Sequence, residues 1–95
     1  MEHAALIVNP FASGVTEDRL AAVERELRGG VELTVQLTKR PLHATELARG
    51  LESVDGVFVF GGDGLLNEVL NGLSADAVVG VLPGERTKVG PFSAL

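Results

Sequence analysis

The stretch Phe60-Gly61-Gly62-Asp63-Gly64-Leu65-Leu66-Asn67-Glu68 ends an apolar run in a glycine turn and opens directly into a helical pattern. A join of this kind suits phosphate. Glycines lack Cβ, so the backbone can approach a ligand closely and take up φ > 0. The first N–H groups of the following helix have no intrahelical acceptor and point at an anion held in front of them. Asp63 stands in the middle of the turn. A carboxylate there repels bare phosphate, so it makes sense where a divalent cation or a hydroxyl lies between them. Gly62-x-Gly64-x-x-Asn67 narrowly misses the dinucleotide fingerprint, whose third position takes a small residue for close helix packing. No Lys-Ser/Thr pair follows, which excludes a Walker A loop. The plain alternative is a tight strand-to-helix turn that uses glycine for geometry alone.

The elements that would position this turn can be read on either side of it. Ala4-Ala5-Leu6-Ile7-Val8 is continuously apolar, as in a parallel strand covered on both faces. It stops at Asn9-Pro10, and Asn9 to Gly14 then places a turn dipeptide, the Ser13 hydroxyl and a glycine at the carboxyl end, where open α/β sheets hold ligands. A polar loop would look the same. Thr16-Glu17-Asp18 caps a helix whose inner face is Leu20, Val23 and Leu27 and whose end is Gly29-Gly30. Val31, Leu33, Val35 and Leu37 alternate with polar residues, the pattern of a strand covered on one face and placed at the sheet edge. Thr38 ends that strand, its hydroxyl offered to a ligand or to water.

Pro41 suits the start of a second helix buried through Ala44, Leu47, Ala48 and Leu51, with His43, Glu46 and Arg49 outside. Val57 to Phe60 is a second fully covered strand, and the helix after the glycine turn is expected to bury Leu66, Val69, Leu70 and Leu73. Asn67 and Glu68 lie early enough in it to reach the loop in front, or simply to brace that loop and favour the helix N-terminus. Val78 to Leu82, closed by Pro83-Gly84, is a third covered strand, and regularity ends after residue 84. Strand and helix therefore alternate. This order predicts a three-layer α/β/α fold, a doubly wound, Rossmann-like parallel sheet of about four strands in the order 2-1-3-4. The loops after the first three strands would then share one rim.

The totals bound what such a domain can do. Ninety-five residues allow one domain, and 45% hydrophobic content is that of a folded globular chain. A net charge of −5 with scattered Lys and Arg disfavours nucleic acid as a partner. There is no cysteine for a disulfide or thiolate site, and neither a signal-type h-region nor a membrane-length apolar run, so a cytoplasmic location is expected.

Four motifs together resemble the diacylglycerol kinase catalytic domain family, which includes bacterial lipid kinases and the sphingosine and ceramide kinases. They are Val8-Asn9-Pro10 with Ser13-Gly14, then Thr38 followed by His43-Ala44 and Glu46-Leu47-Ala48, then Gly61-Gly62-Asp63-Gly64 with Asn67-Glu68-Val69, and last Val81-Leu82-Pro83-Gly84. The resemblance runs from about Leu6 to Gly84. It implies transfer of the γ-phosphoryl of ATP to a lipid hydroxyl with Mg2+, with residues 1–84 as the nucleotide-binding part and 85–95 as a divergent tail. ATP-side contacts would come from Asn9, Ser13, Gly14, Thr38, Gly61, Gly62, Asp63, Gly64, Asn67 and Glu68, with Thr87 as a loose match in a second glycine loop. Asp63 would serve as the catalytic residue, through the metal network or by orienting the hydroxyl.

The sequence departs from the family in two places. Leu65 stands where the family usually has Thr, and Glu85-Arg86-Thr87-Lys88 stands where it usually continues the second glycine loop. A β-rich second domain, which in the family brings the lipid-contacting surface and further acidic residues, does not follow within these 95 residues, so little or no turnover is expected of this chain alone. The uncovered apolar surface would favour self-association, and contact with the lipid acceptor would place the whole enzyme at a membrane surface. Alternatives from other classes stay open: an NAD kinase-like protein, a dinucleotide-binding module with Glu85 as its only candidate ribose acid, and a non-catalytic interaction domain.

Overall fold

The computed structural model describes residues 2–51, 54–73, 78–82 and 93–94. Apolar strands and amphipathic helices alternate in it as β1 (His3–Val8), α1 (Glu17–Arg28), β2 (Glu32–Leu37), α2 (His43–Arg49), β3 (Gly56–Phe60), α3 (Asp63–Gly72) and β4 (Val79–Leu82). A two-residue strand, β5 (Ser93–Ala94), follows. The sheet order is β2-β1-β3-β4-β5. The first four strands are parallel in the expected 2-1-3-4 order. β5 adds an antiparallel edge that the irregular sequence after residue 84 did not announce.

The position of each strand follows from its composition. Ala4 to Val8 are fully buried, as a strand flanked by neighbours on both edges and helices on both faces must be. The alternating β2 lies at the edge beside it. On one face α1 brings Leu27, with Leu20 and Val23 behind it, onto Leu6, Val8, Leu33, Phe60 and Leu82. On the other, Ala44 and Ala48 of α2 and Leu65 and Val69 of α3 cover Ile7, Val57 and Val59. The layers are therefore α1, the sheet, and the α2–α3 pair.

Local chemistry fixes the element ends. Thr16 caps α1, its hydroxyl accepting the Arg19 N–H at 3.2 Å. Asp55 ties the starts of β1 and β3 together: one carboxylate oxygen accepts the N–H groups of Glu2 at 2.8 Å and His3 at 3.0 Å. Those two bonds, His3 first and then Glu2, hold its carboxyl below the usual range.

Two helix details differ from the sequence reading. The second helix starts at His43, after Leu42 in the left-handed region at φ 66°, and Pro41 belongs to the preceding turn. In α3 the buried stripe is Leu65 and Val69, flanked by Leu66 and Leu73, while Leu70 is about half exposed. Helical spacing was read correctly but its phase was not. Because α3 already begins at Asp63, Leu65, Val69 and Gly72 fall on the inner line, at i, i+4 and i+7. Gly72 then lets α2 approach closely, since a Cβ there would overlap the Thr45 carbonyl oxygen and lie 2.9 Å from the Ala48 Cβ.

Candidate functional site

Register places the site. Val8 of the central strand is level with Leu37 on one side and Phe60 on the other. The ladder runs one residue further in both directions, with Thr38 N–H donating to the Val8 carbonyl at 2.8 Å and Asn9 N–H to the Phe60 carbonyl at 3.1 Å. Asn9, Thr38 and Gly61 thus leave the sheet side by side at one rim. A cleft of about 530 Å³ opens there, lined by Asn9, Phe11, Thr38, Lys39, Arg40, Pro41, Gly61, Gly64, Leu65 and Glu68.

Each wall is built differently. The loop after β1 is braced by Asn9, whose side-chain oxygen accepts the Phe11 N–H at 2.9 Å in an Asx turn. Phe11 is thereby presented at the cleft mouth, 79% exposed. The wall after β2 carries Lys39 and Arg40. The Lys39 N–H donates to His43 Nδ1 at 2.9 Å. Arg40 clasps Glu46 through two contacts, 2.7 and 3.0 Å. The hydrogen bond from Arg40, reinforced by its charge, holds the Glu46 carboxyl below the usual range.

The third wall is the glycine turn. Gly61 at φ 156° and Gly62 at φ 104° adopt backbone that side chains rarely enter. At Gly61 space is also short, since a Cβ would lie 2.8 Å from Leu65 Cδ2 and 2.9 Å from Asn9 Cβ. The turn leads into α3 with Gly62 at the N-cap and no side chain closing it, whereas Thr16 closes α1. Among the described residues no acceptor takes the N–H groups of Gly62, Asp63, Gly64 or Leu65. Four N–H groups without an acceptor at a positive helix end, with open space at Gly62 and Gly64, are the donor set that an oxyanion group requires.

The cleft joins five of the residues singled out in the sequence: Asn9, Thr38, Gly61, Gly64 and Glu68. Gly62 and Asp63 are exposed in the turn between the lining residues Gly61 and Gly64. Ser13, Gly14 and Asn67 do not line it; Ser13 and Asn67 are exposed, and the Gly14 carbonyl accepts from the Arg19 guanidinium at 2.7 Å. Thr87 lies outside the described residues. Phe11, Lys39, Arg40, Pro41 and Leu65 complete the lining without having been singled out for it. Two signals pointed to them: the adjacent basic pair directly after a strand-ending Thr, and a large aromatic inside a polar turn.

No group of three or more His, Cys, Asp or Glu side chains able to hold a metal occurs among the described residues. Among the described residues no helix is long and apolar enough to cross a membrane.

This sheet, parallel through its first four strands, with a glycine turn and a helix end at its carboxyl rim, is that of a doubly wound, Rossmann-like α/β protein. The family model for the diacylglycerol kinase catalytic domain matches residues 3–85, and the chain belongs to that family. Sphingosine kinase 1 of Arabidopsis thaliana is 35% identical over 75 residues, covering 72% of this chain and 15% of the plant protein. Sphingoid long chain base kinase 4 of Schizosaccharomyces pombe is 51% identical over 41 residues, covering 41% of this chain and 9% of the yeast protein. A crystal structure of a diacylglycerol kinase from Bacillus anthracis superposes with a TM-score of 0.78 at 31% identity, over 88% of this chain and 33% of that one. The chain thus spans a third or less of the length of these relatives.

Proposed function

We propose that this chain is the nucleotide-binding portion of a lipid kinase, which passes the γ-phosphoryl of ATP to a lipid hydroxyl. One observation carries the reading: three aligned strand ends open onto an uncapped helix N-terminus whose first N–H groups have no acceptor among the described residues. Phosphoryl transfer asks a protein mainly for positioning and charge stabilisation, and those amides supply both. In this reading Gly61 to Leu65 cradle the phosphates, with Lys39 and Arg40 as cationic neighbours across the cleft. Asn9 holds its loop in shape, and Thr38 offers a hydroxyl from the adjacent strand end. Asp63 faces solvent beside the cradle, where its carboxylate orients the acceptor hydroxyl or holds the cation. Bound Mg2+ would neutralise phosphate charge there.

The relatives' names include sphingosine, sphingoid base and diacylglycerol kinases. A lipid alcohol is accordingly the acceptor class, and the lipid-recognising surface is assigned to sequence beyond this portion. We expect the 95-residue chain to bind nucleotide while transferring little or no phosphate to diacylglycerol or sphingosine in detergent micelles. Titration with Mg-ATP and with NAD, followed by thermal unfolding, tests the reading. Saturable stabilisation by Mg-ATP alone supports it. Stabilisation by NAD alone points to a dinucleotide module, and silence from both to a non-catalytic domain.

A further inference from the structure

The cleft wall after β2 is shaped by a side chain that does not line it. Thr38 N–H ends the ladder on the Val8 carbonyl, and the next amide, that of Lys39, donates to His43 Nδ1 at 2.9 Å. The His43 N–H donates in turn to the Arg40 carbonyl at 3.1 Å. These two bonds close residues 39–43 into one loop, which brings Lys39, Arg40 and Pro41 to the cleft and enters α2 through the left-handed Leu42. The Arg40–Glu46 pair also touches this loop, but it is exposed, and such pairs contribute little. A backbone N–H can only donate. Nδ1 therefore carries no proton, and the ring is the neutral Nε2–H tautomer. A protonated imidazole donates at both nitrogens and cannot accept the Lys39 N–H. The charged groups around the ring are Lys39 and Arg40 in the loop, Glu46 and Arg49 on α2, and Glu68 on α3 across the cleft. Of these, Glu46 is already clasped by Arg40.

We propose that His43 is a positioning residue for the nucleotide: its neutral imidazole holds the Lys39 to Pro41 wall in the shape that receives the ligand, and protonation of the ring releases that wall. This inference rests on the nucleotide reading of the same cleft and adds a dependence on pH. Release lowers the fraction of molecules whose cleft is ready to bind, and the apparent affinity falls with that fraction. Charge alone acts the other way, since an imidazolium near a polyphosphate attracts it. The direction of the pH dependence therefore separates a positioning role from a merely cationic one.

Calorimetric titration of the 95-residue chain with Mg-ATP tests this from about pH 8 to about pH 5.5, which spans the range in which imidazoles take up a proton. His43→Asn and His43→Ala are measured beside it, and comparison at equal pH cancels the titration of the nucleotide itself. The Asn side-chain oxygen stands near the place of Nδ1 and accepts at every pH in this range. At the alkaline end the unmodified chain and His43→Asn should bind alike, and His43→Ala about fivefold more weakly, the worth of one neutral hydrogen bond. On acidification the unmodified chain should fall to the level of His43→Ala, while the Asn variant should keep its lead over the Ala variant. NMR of the unmodified chain without ligand supplies a reading that needs no variant. The imidazole nitrogens should show the Nε2–H tautomer, and the Lys39 amide proton should shift as the ring takes up its proton. An Nδ1–H tautomer, a Lys39 amide indifferent to that protonation, or equal binding by His43→Ala overturns the inference and leaves the nucleotide reading intact. So does an unmodified chain that binds more tightly than His43→Asn at the acid end. No binding of Mg-ATP at any pH overturns both.

Discussion

At the scale of single residues, two backbone positions decide the shape of the cleft. Gly61 combines φ 156° with contact to Leu65 and Asn9, so even one methyl group has no place to go. Gly61→Ala should lower the unfolding free energy by about 1–3 kcal/mol and displace the Asn9 loop. An unchanged urea midpoint would contradict this. Leu42 presents the opposite case. It occupies the left-handed region without glycine's freedom and is 65% exposed, so little burial is at stake. Replacing it with glycine removes the Cβ clash at the cost of extra chain entropy, and Leu42→Gly should stabilise the fold by up to about 1 kcal/mol. Gly61 was legible because glycine pairs between a strand and a helix have few uses. The left-handed turn was not, because leucine carries no signal for φ > 0.

Elements set the next scale, where close approach of α2 and α3 supports the glycine turn. Thr45 donates its hydroxyl to the Glu68 carbonyl at 2.7 Å, beside the contact that Gly72 permits. Gly72→Ala should separate the helices and cost about 1–3 kcal/mol, measured as a lowered denaturation midpoint. The helix pair was only partly legible. Helical spacing identifies α3, but the inner line depends on where the helix begins, and a glycine turn that runs straight into the first helical residue hides that point. Leu70 was therefore placed inside and Leu65 missed.

The strand starts carry a pH dependence. Asp55 has a lowered pKa in the fold, so its contribution is complete above the ordinary carboxylate range and is lost as pH falls through the lowered value. Asp55→Asn should be less stable than the parent at neutral pH, and the difference should shrink on acidification. Urea midpoints across that range would expose a constant difference if the bond to the His3 and Glu2 amides were unimportant. Glu46 titrates with the same sign through Arg40, but that pair is exposed and added salt should weaken it.

For the molecule as a whole, the sheet order agrees with composition: the continuously apolar β1 and β3 lie inside, and the single alternating strand, β2, lies at an edge. What sequence could not supply was the antiparallel β5, two residues long and formed only by pairing across β4. Nor could it show which loop residues face the shared rim. Ser13 and Asn67 carry suitable polar groups yet do not line the cleft, while the Lys39-Arg40 wall comes from a turn whose course depends on Leu42.

The central claim is that the strand ends and the open end of α3 together grip a magnesium-bearing triphosphate. Backbone amide NMR of the 95-residue chain during titration with Mg-ATP tests it most directly. The account predicts saturable shifts at Gly61 to Leu65, accompanied by Thr38 and Lys39 and absent from the far ends of the strands. Shifts confined to other surfaces, or amides at Gly62 to Leu65 that never respond, would contradict it.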